Sequence, residues 1–227
     1  TVHKAVIEAY KINPETGLAV WAVDKPTTGK SNYRVKMRRN TMGTQLTMFD
    51  CAQTTLFNLL DARTLAYLYR TEIIDARTET SPLRFWYSRL DTRSSTLGTF
   101  FLEPEVPFKL TLSDTVLGKK VLLLNNTPED PLGKGYLISK WPVIPFTEYH
   151  AAKDMWTLLI PRIANLEDKG IHNERISSLY SQAQLLLKQA DEYYTQKDWV
   201  GLLNTSRASL ATASLVYNDI EGTQRDV

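Results

Sequence analysis

Apolar residues recur at alternating spacings of three and four over the last third of the chain. They fall at Ala152, Trp156, Leu159, Ile163 and Leu166, then at Ile176, Leu179, Ala183, Leu186, Ala190 and Tyr193. A third set follows at Trp199, Leu203, Ser206, Leu210, Ala213, Tyr217 and Ile220, with Ser206 its one polar member. That period draws a narrow apolar stripe down each of three helices, and such stripes are buried against one another. An antiparallel three-helix bundle over residues 146–227 is expected. The flanking residues fit: Thr147 as an N-cap followed by Glu148 at the positive end of the helix dipole, Gly170 as a left-handed stop, Asn173 or His172 opening the second helix and Asp198 the third. Pro161 falls inside the first helix and predicts a kink or break near Leu158.

Before Trp141 the pattern changes to short apolar alternations punctuated by Pro, Gly, Asn and Asp, as strands joined by turns require. Val2 to Ile12, the turn Asn13-Pro14-Glu15-Thr16-Gly17 and Leu18 to Val23 predict a hairpin. Further strands are expected over Tyr33–Met37, Gln45–Phe49, Leu65–Ile74, Leu83–Leu90, Gly98–Leu102, Pro107–Leu112, Lys120–Leu124 and Gly135–Lys140, and a short helix over Thr54–Leu60. About eight to ten strands with no helices between them suit an antiparallel sandwich or jelly roll rather than a parallel α/β sheet. The expected fold class is α+β, with a sandwich-like domain over residues 1–145 followed by the helical bundle.

Composition adds mostly exclusions. The formal charge is +2, with 27 basic and 25 acidic residues, so no global field draws the chain to nucleic acid. A single cysteine, Cys51, rules out an internal disulfide framework. No run of 18 apolar residues occurs, so nothing in the sequence spans a bilayer as a helix. The chain starts at Thr1 without a basic-then-apolar leader, which points to a cytosolic protein lacking its Met or to a segment of something longer.

Local chemistry is sparse. Gly133-Lys134-Gly135-Tyr136 lacks the spacing of a phosphate-binding loop and reads as a turn leading into a strand. His3, His150 and His172 have no partner at metal-ligand spacing, so neither metal nor cofactor is expected. No Gly-x-Ser-x-Gly elbow is present and nothing around Cys51 marks a nucleophile. Two patches suit ligands better. A strand through Arg34-Val35-Lys36-Met37-Arg38 would set Arg34, Lys36 and Arg38 on one face, either as a basic ladder for anionic lipid or glycan or as a solvated face that discourages edge pairing. In Arg84-Phe85-Trp86-Tyr87-Ser88-Arg89 an indole would lie beside a guanidinium, a surface that stacks on sugars; the alternative is core packing of Trp86.

The runs Glu148 to Trp156, Gly170 to Ile176, Lys197-Asp198-Trp199 and Tyr217 to Val227 resemble the juxtamembrane helical region of large bacterial and archaeal envelope proteins, some of them FtsX-type permeases. The resemblance covers about the last third of the chain and transfers no catalytic residue. It implies a β-rich extracytoplasmic domain followed by helices leading to membrane spans outside this chain. Ala190, Tyr194 and Asp198-Trp199 also bear a weaker likeness to tetratricopeptide units, but no second copy recurs at a fixed period. The expected function is a non-enzymatic extracytoplasmic ligand-binding or sensing domain of a membrane-anchored protein in the cell envelope. Its partner would be a glycan, lipid or envelope protein, met through Arg84, Trp86 and Arg89 or through the Arg34, Lys36 and Arg38 face. Two other classes stay open: a soluble hydrolase or transferase with a site assembled from distant residues, in which His150 would meet an acid and a hydroxyl, and a structural assembly module.

Overall fold

The computed structural model describes residues 4–28, 34–36, 41, 43–68, 70–88, 96–113 and 119–225. The chain is α+β, with short strands first and three long helices last. The strands are β1 (Lys4–Val6), β2 (Tyr10–Ile12), β3 (Ala19–Val23), β4 (Arg34–Lys36), β5 (Met48–Asp50), β6 (Ala52–Leu56), β7 (Arg70–Asp75), β8 (Phe85–Ser88), β9 (Gly98–Leu102), β10 (Pro107–Ser113), β11 (Lys119–Leu123), β12 (Tyr136–Leu137) and β13 (Val143–Ile144). The helices are α1 (Lys25–Thr28), α2 (Thr147–Asp168), α3 (Glu174–Gln196) and α4 (Trp199–Arg225).

The described strands form four small sheets, antiparallel except where β13 joins β6 in parallel. β1 pairs β4, and β2–β3–β5 contains the expected hairpin. Its turn closes because Gly17 takes φ 69 and donates its N–H to the Asn13 carbonyl, while the Asn13 side chain accepts from the Glu15 amide. The order β13–β6–β9–β8 makes a third sheet, and in the fourth β10 pairs β7 on one side and β11 and β12 on the other.

Thr54–Leu60 is not a helix. Residues 52–56 form β6, which pairs with β9 along its whole length and buries Thr54 and Leu56 on one face. The two threonines are β-branched and fit a pleated, half-buried surface better than a helical one. Two short elements had no sequence expectation, α1 and β13.

In the helical part the apolar stripes bury largely as their spacing requires. Ala152, Trp156, Leu159, Ile163, Leu166, Ile176, Ala183, Ala190, Leu210, Ala213 and Ile220 are all buried, as is Ser206, while Trp199 is 45% exposed. Glu148 meets Arg207 and Trp156 donates its indole N–H to Ser209, so α2 and α4 run the same way. Arg175 meets Asp219 at the opposite end, which sets α3 antiparallel to α4. α2 runs through Pro161 without interruption.

The cap of α2 differs from expectation. Phe146, left-handed at φ 57, precedes the helix; Thr147 is its first residue, and the Thr147 hydroxyl is buried with no hydrogen-bond partner among the described residues. The other two caps form as read: Asn173 accepts from the Arg175 and Ile176 amides, and Asp198 from the Gly201 amide.

One cluster of buried side chains runs from the sheets into the helices. It joins Leu56, Phe100, Phe108, Leu110 and Leu123 to Ala152, Trp156, Leu159, Leu210 and Ile220. The helices therefore do not stand clear of the strands, because α2 packs along β11 and carries the core across Pro145. A smaller cluster under β3 holds Phe49, Cys51, Trp86 and Phe101.

Candidate functional site

Strand β10 is buried on both faces, and the two faces differ in chemistry. Phe108, Leu110 and Leu112 point into the main core. Lys109 and Thr111 alternate to the other face, where the register sets Lys109 opposite Ile74 and Thr111 between Glu72 and Leu122. Above this second face lies a cavity of about 350 Å³. Helix α2 contributes Met155, Leu158, Leu159 and Arg162 to its wall and α4 contributes Tyr217; Leu124, Pro131 and Leu132 come from the loop after β11.

A buried carboxylate holds that loop. Asp154 Oδ2 accepts from the Leu124 and Asn125 amides at 2.6 and 3.0 Å, and Oδ1 from the Asn126 amide at 3.2 Å. Asn126 returns a hydrogen bond to the Asp154 carbonyl and reaches the Pro131 carbonyl with the same amide group. Burial pushes the Asp154 carboxyl up to about 6, against the pull of the three amides. Gly133 and Gly135 complete the loop at φ 77 and 71. A Cβ on Gly135 would stand 2.8 Å from the Phe108 carbonyl oxygen, so this glycine lets the loop return against β10. The Gly-Lys-Gly run is thus a turn leading into β12.

The floor of the groove is charged. The Lys109 side chain is 2% exposed, and its ammonium donates to Glu79, whose side chain is 53% exposed. Glu79 ends the turn after β7 with φ 56, its amide bonded to the Asp75 carbonyl. Asp75 accepts two hydrogen bonds from the Arg77 guanidinium, which hold its carboxyl below the usual range. Beside Lys109, the Thr111 hydroxyl donates to Glu72. At the mouth the Arg162 guanidinium lies over the Tyr217 ring, 5.8 Å from its centroid. A second hollow of about 260 Å³ shares Ile74 and Glu79; there the Lys25 ammonium sits 4.4 Å from the Tyr87 ring centre and donates to its hydroxyl.

Of the residues singled out from the sequence, Arg84 and Trp86 are described with their side chains, and the two stand in different surroundings. Trp86 is buried in the core under β3 and donates its indole N–H to the Tyr10 hydroxyl, so its ring is not offered to a ligand. Arg84 is exposed and lies 3.6 Å from Glu103. Arg89 and Arg38 lie outside the described residues, and Arg34 and Lys36 belong to β4, paired with β1. The physical reason for the Trp86 difference is that both faces of β8 are covered: Phe85 and Tyr87 pack on the main core while Trp86 packs on the smaller one.

His150 is enclosed by the rings of Tyr136, Trp141 and Tyr149. Burial, aided by Lys153, brings its imidazole down to about 4. No hydrogen bond joins it to a carboxylate or hydroxyl of the described residues, so the triad expected of a hydrolase is not formed there. Cys51 is buried, its thiol pushed up to about 12 by burial and by Asp50, which keeps it protonated and unreactive. No group of His, Cys, Asp or Glu among the described residues has metal-binding geometry, and no described helix is long and apolar enough to cross a membrane.

The groove went unread in the sequence because Lys109 stands in an ordinary strand run, Pro107 to Leu112. A lysine among Phe108, Leu110 and Leu112 is itself a signal, since lysine is rarely buried without a partner. The groove's other wall comes from α2 and α4, whose register against the sheet no alternation pattern encodes. No protein-family model, curated protein or solved structure matches the chain.

Proposed function

We propose that this chain is a non-enzymatic ligand-binding or sensing domain whose ligand, a small amphipathic molecule, occupies the groove between the second face of β10 and helices α2 and α4. One observation carries the reading: an apolar hollow of about 350 Å³ has a buried, paired lysine on its floor. Pockets for small molecules are concave, mostly apolar and about 300–1,000 Å³, with a few placed polar groups that fix orientation. Here Ile74, Leu122, Leu158 and Leu159 supply the apolar wall, and Lys109, Thr111 and Arg162 supply the polar groups.

In this reading the strands are a sandwich-like head and the last three helices an antiparallel bundle. The envelope context rests on the juxtamembrane resemblance of the helical third, with anchoring through segments outside this chain. α2 lines the groove and also packs along β11, so a ligand that favoured one packing of α2 would bias the helices beyond it.

The test is occupancy of the groove by a neutral apolar dye. Nile red is expected to gain fluorescence with the full chain, and Leu158→Trp, which fills the hollow from its half-buried wall, is expected to weaken that binding at least tenfold with little change in melting temperature. Dye binding that is absent, or indifferent to Leu158→Trp, would remove the groove as the site.

A further inference from the structure

The apolar lining does not explain the charges around it. Among the residues lining the groove, two are cations, Lys109 and Arg162, and one is a carboxylate, Glu79. The lining therefore holds one more cation than carboxylate, and Glu72, bonded to Thr111, lies toward the second hollow. Lys109 is fixed on a central strand and 2% exposed, whereas its partner is 53% exposed at the end of a turn. The two halves of this pair differ in what release would cost. Glu79 freed from the pair returns to water, where an exposed ion pair contributes little. Lys109 freed from the pair remains buried and needs another anion. Arg162 makes no ion pair among the described residues and lies over Tyr217 at the mouth.

From these observations we infer that the ligand is a free single-chain carboxylate, its hydrocarbon along Leu122, Leu158 and Leu159 and its carboxylate replacing Glu79 on the Lys109 ammonium. The inference rests on the groove being a binding site and adds the charge and form of the ligand. A cationic amphiphile would face Lys109 and Arg162 with Glu79 the one carboxylate among the lining residues, and a neutral one would leave the ion pair unused. The hollow, near the lower end of the size range of small-molecule pockets, suits one chain rather than the two of a membrane lipid. Glu79 acts as a stand-in anion that keeps the lysine paired while the groove is empty.

The experiment is calorimetric titration of the full chain with decanoate, decanol and decyltrimethylammonium, and in parallel with vesicles of phosphatidylglycerol. Decanoate is expected to bind at least tenfold more tightly than decanol, and the ammonium compound more weakly still. Lys109→Met should bring decanoate and decanol within about twofold of each other. Glu79→Gln, at an exposed turn, should tighten decanoate severalfold, and it keeps the inference testable should Lys109→Met fail to fold. Equal binding of the acid and the alcohol, preference for the ammonium compound, binding to vesicles without binding of free decanoate, or weaker decanoate binding in Glu79→Gln would each overturn the inference. If decanol binds and is displaced by Leu158→Trp while decanoate gains nothing, the groove survives and only the carboxylate is lost. If no chain compound binds, both readings fall.

Discussion

Trp86 shows how much a single position depends on what covers it. Strand alternation sets Trp86 on the opposite face from Phe85 and Tyr87, but it does not say that each face is roofed by a different core. With its indole buried and bonded to Tyr10, Trp86→Ala should cost about 3–5 kcal/mol by emptying that space. Urea unfolding measures this, and a loss under about 1 kcal/mol would contradict the burial. His150 makes a second residue-scale case. Its depressed value, about 4 against 6.5, means the unfolded chain binds more protons than the folded one in that window. Stability from His150 is therefore full above 6.5 and is lost as pH falls through about 4. Asp154 acts in the opposite sense, because burial raises it and its protonation favours the fold between 3.8 and about 6. His150→Phe, which keeps a ring among Tyr136, Trp141 and Tyr149, should reduce the acid loss of stability by roughly 2–3 kcal/mol, and Asp154→Asn should make that loss steeper. Parallel pH curves for wild type and both variants would refute the assignment.

At the scale of elements, the helices were the most legible part of the chain. Their stripes repeat over many turns, so each buried position is supported by several others, as at Trp156, Leu159, Ile163 and Leu166. The shorter strands have only a few residues to declare themselves. Thr54-Thr55-Leu56 could be read either way, and pairing with β9 decided it. Cap chemistry was legible where a side chain performs it, at Asn173 and Asp198, and failed at Phe146, where the backbone alone turns the chain. Glycines give a direct test of the loop that closes the groove. Gly170 has open space around its Cβ position, so Gly170→Ala should cost only the left-handed backbone penalty, about 1–2 kcal/mol. Gly135→Ala adds a collision with the Phe108 carbonyl and should be clearly more destabilising, with loosened pairing of β12 on β10 visible as faster amide exchange at Tyr136. Equal costs at the two sites would contradict the close approach of the loop.

For the whole molecule, the shared core matters most. Leu123, Ala152, Trp156 and Leu210 belong to one cluster, so neither strands nor helices close their apolar surface alone. Unfolding in urea should accordingly be a single transition, with indole fluorescence and helical circular dichroism sharing one midpoint; two separated midpoints would mean two independent cores. The groove is a product of the same arrangement, one wall from the sheet and one from α2 and α4, which is why residues far apart in sequence, Lys109, Leu158 and Tyr217, line it together. Heptad and strand patterns each announced one wall and neither announced the gap between them. The claim that this gap is the binding site is met most directly by amide chemical-shift mapping during titration with decanoate. Shifts are expected to concentrate at Thr111, Leu122, Met155 and Leu158 and to vanish in Leu158→Trp, whereas shifts centred on Arg84 and Ser88, or spread evenly over the surface, would contradict it.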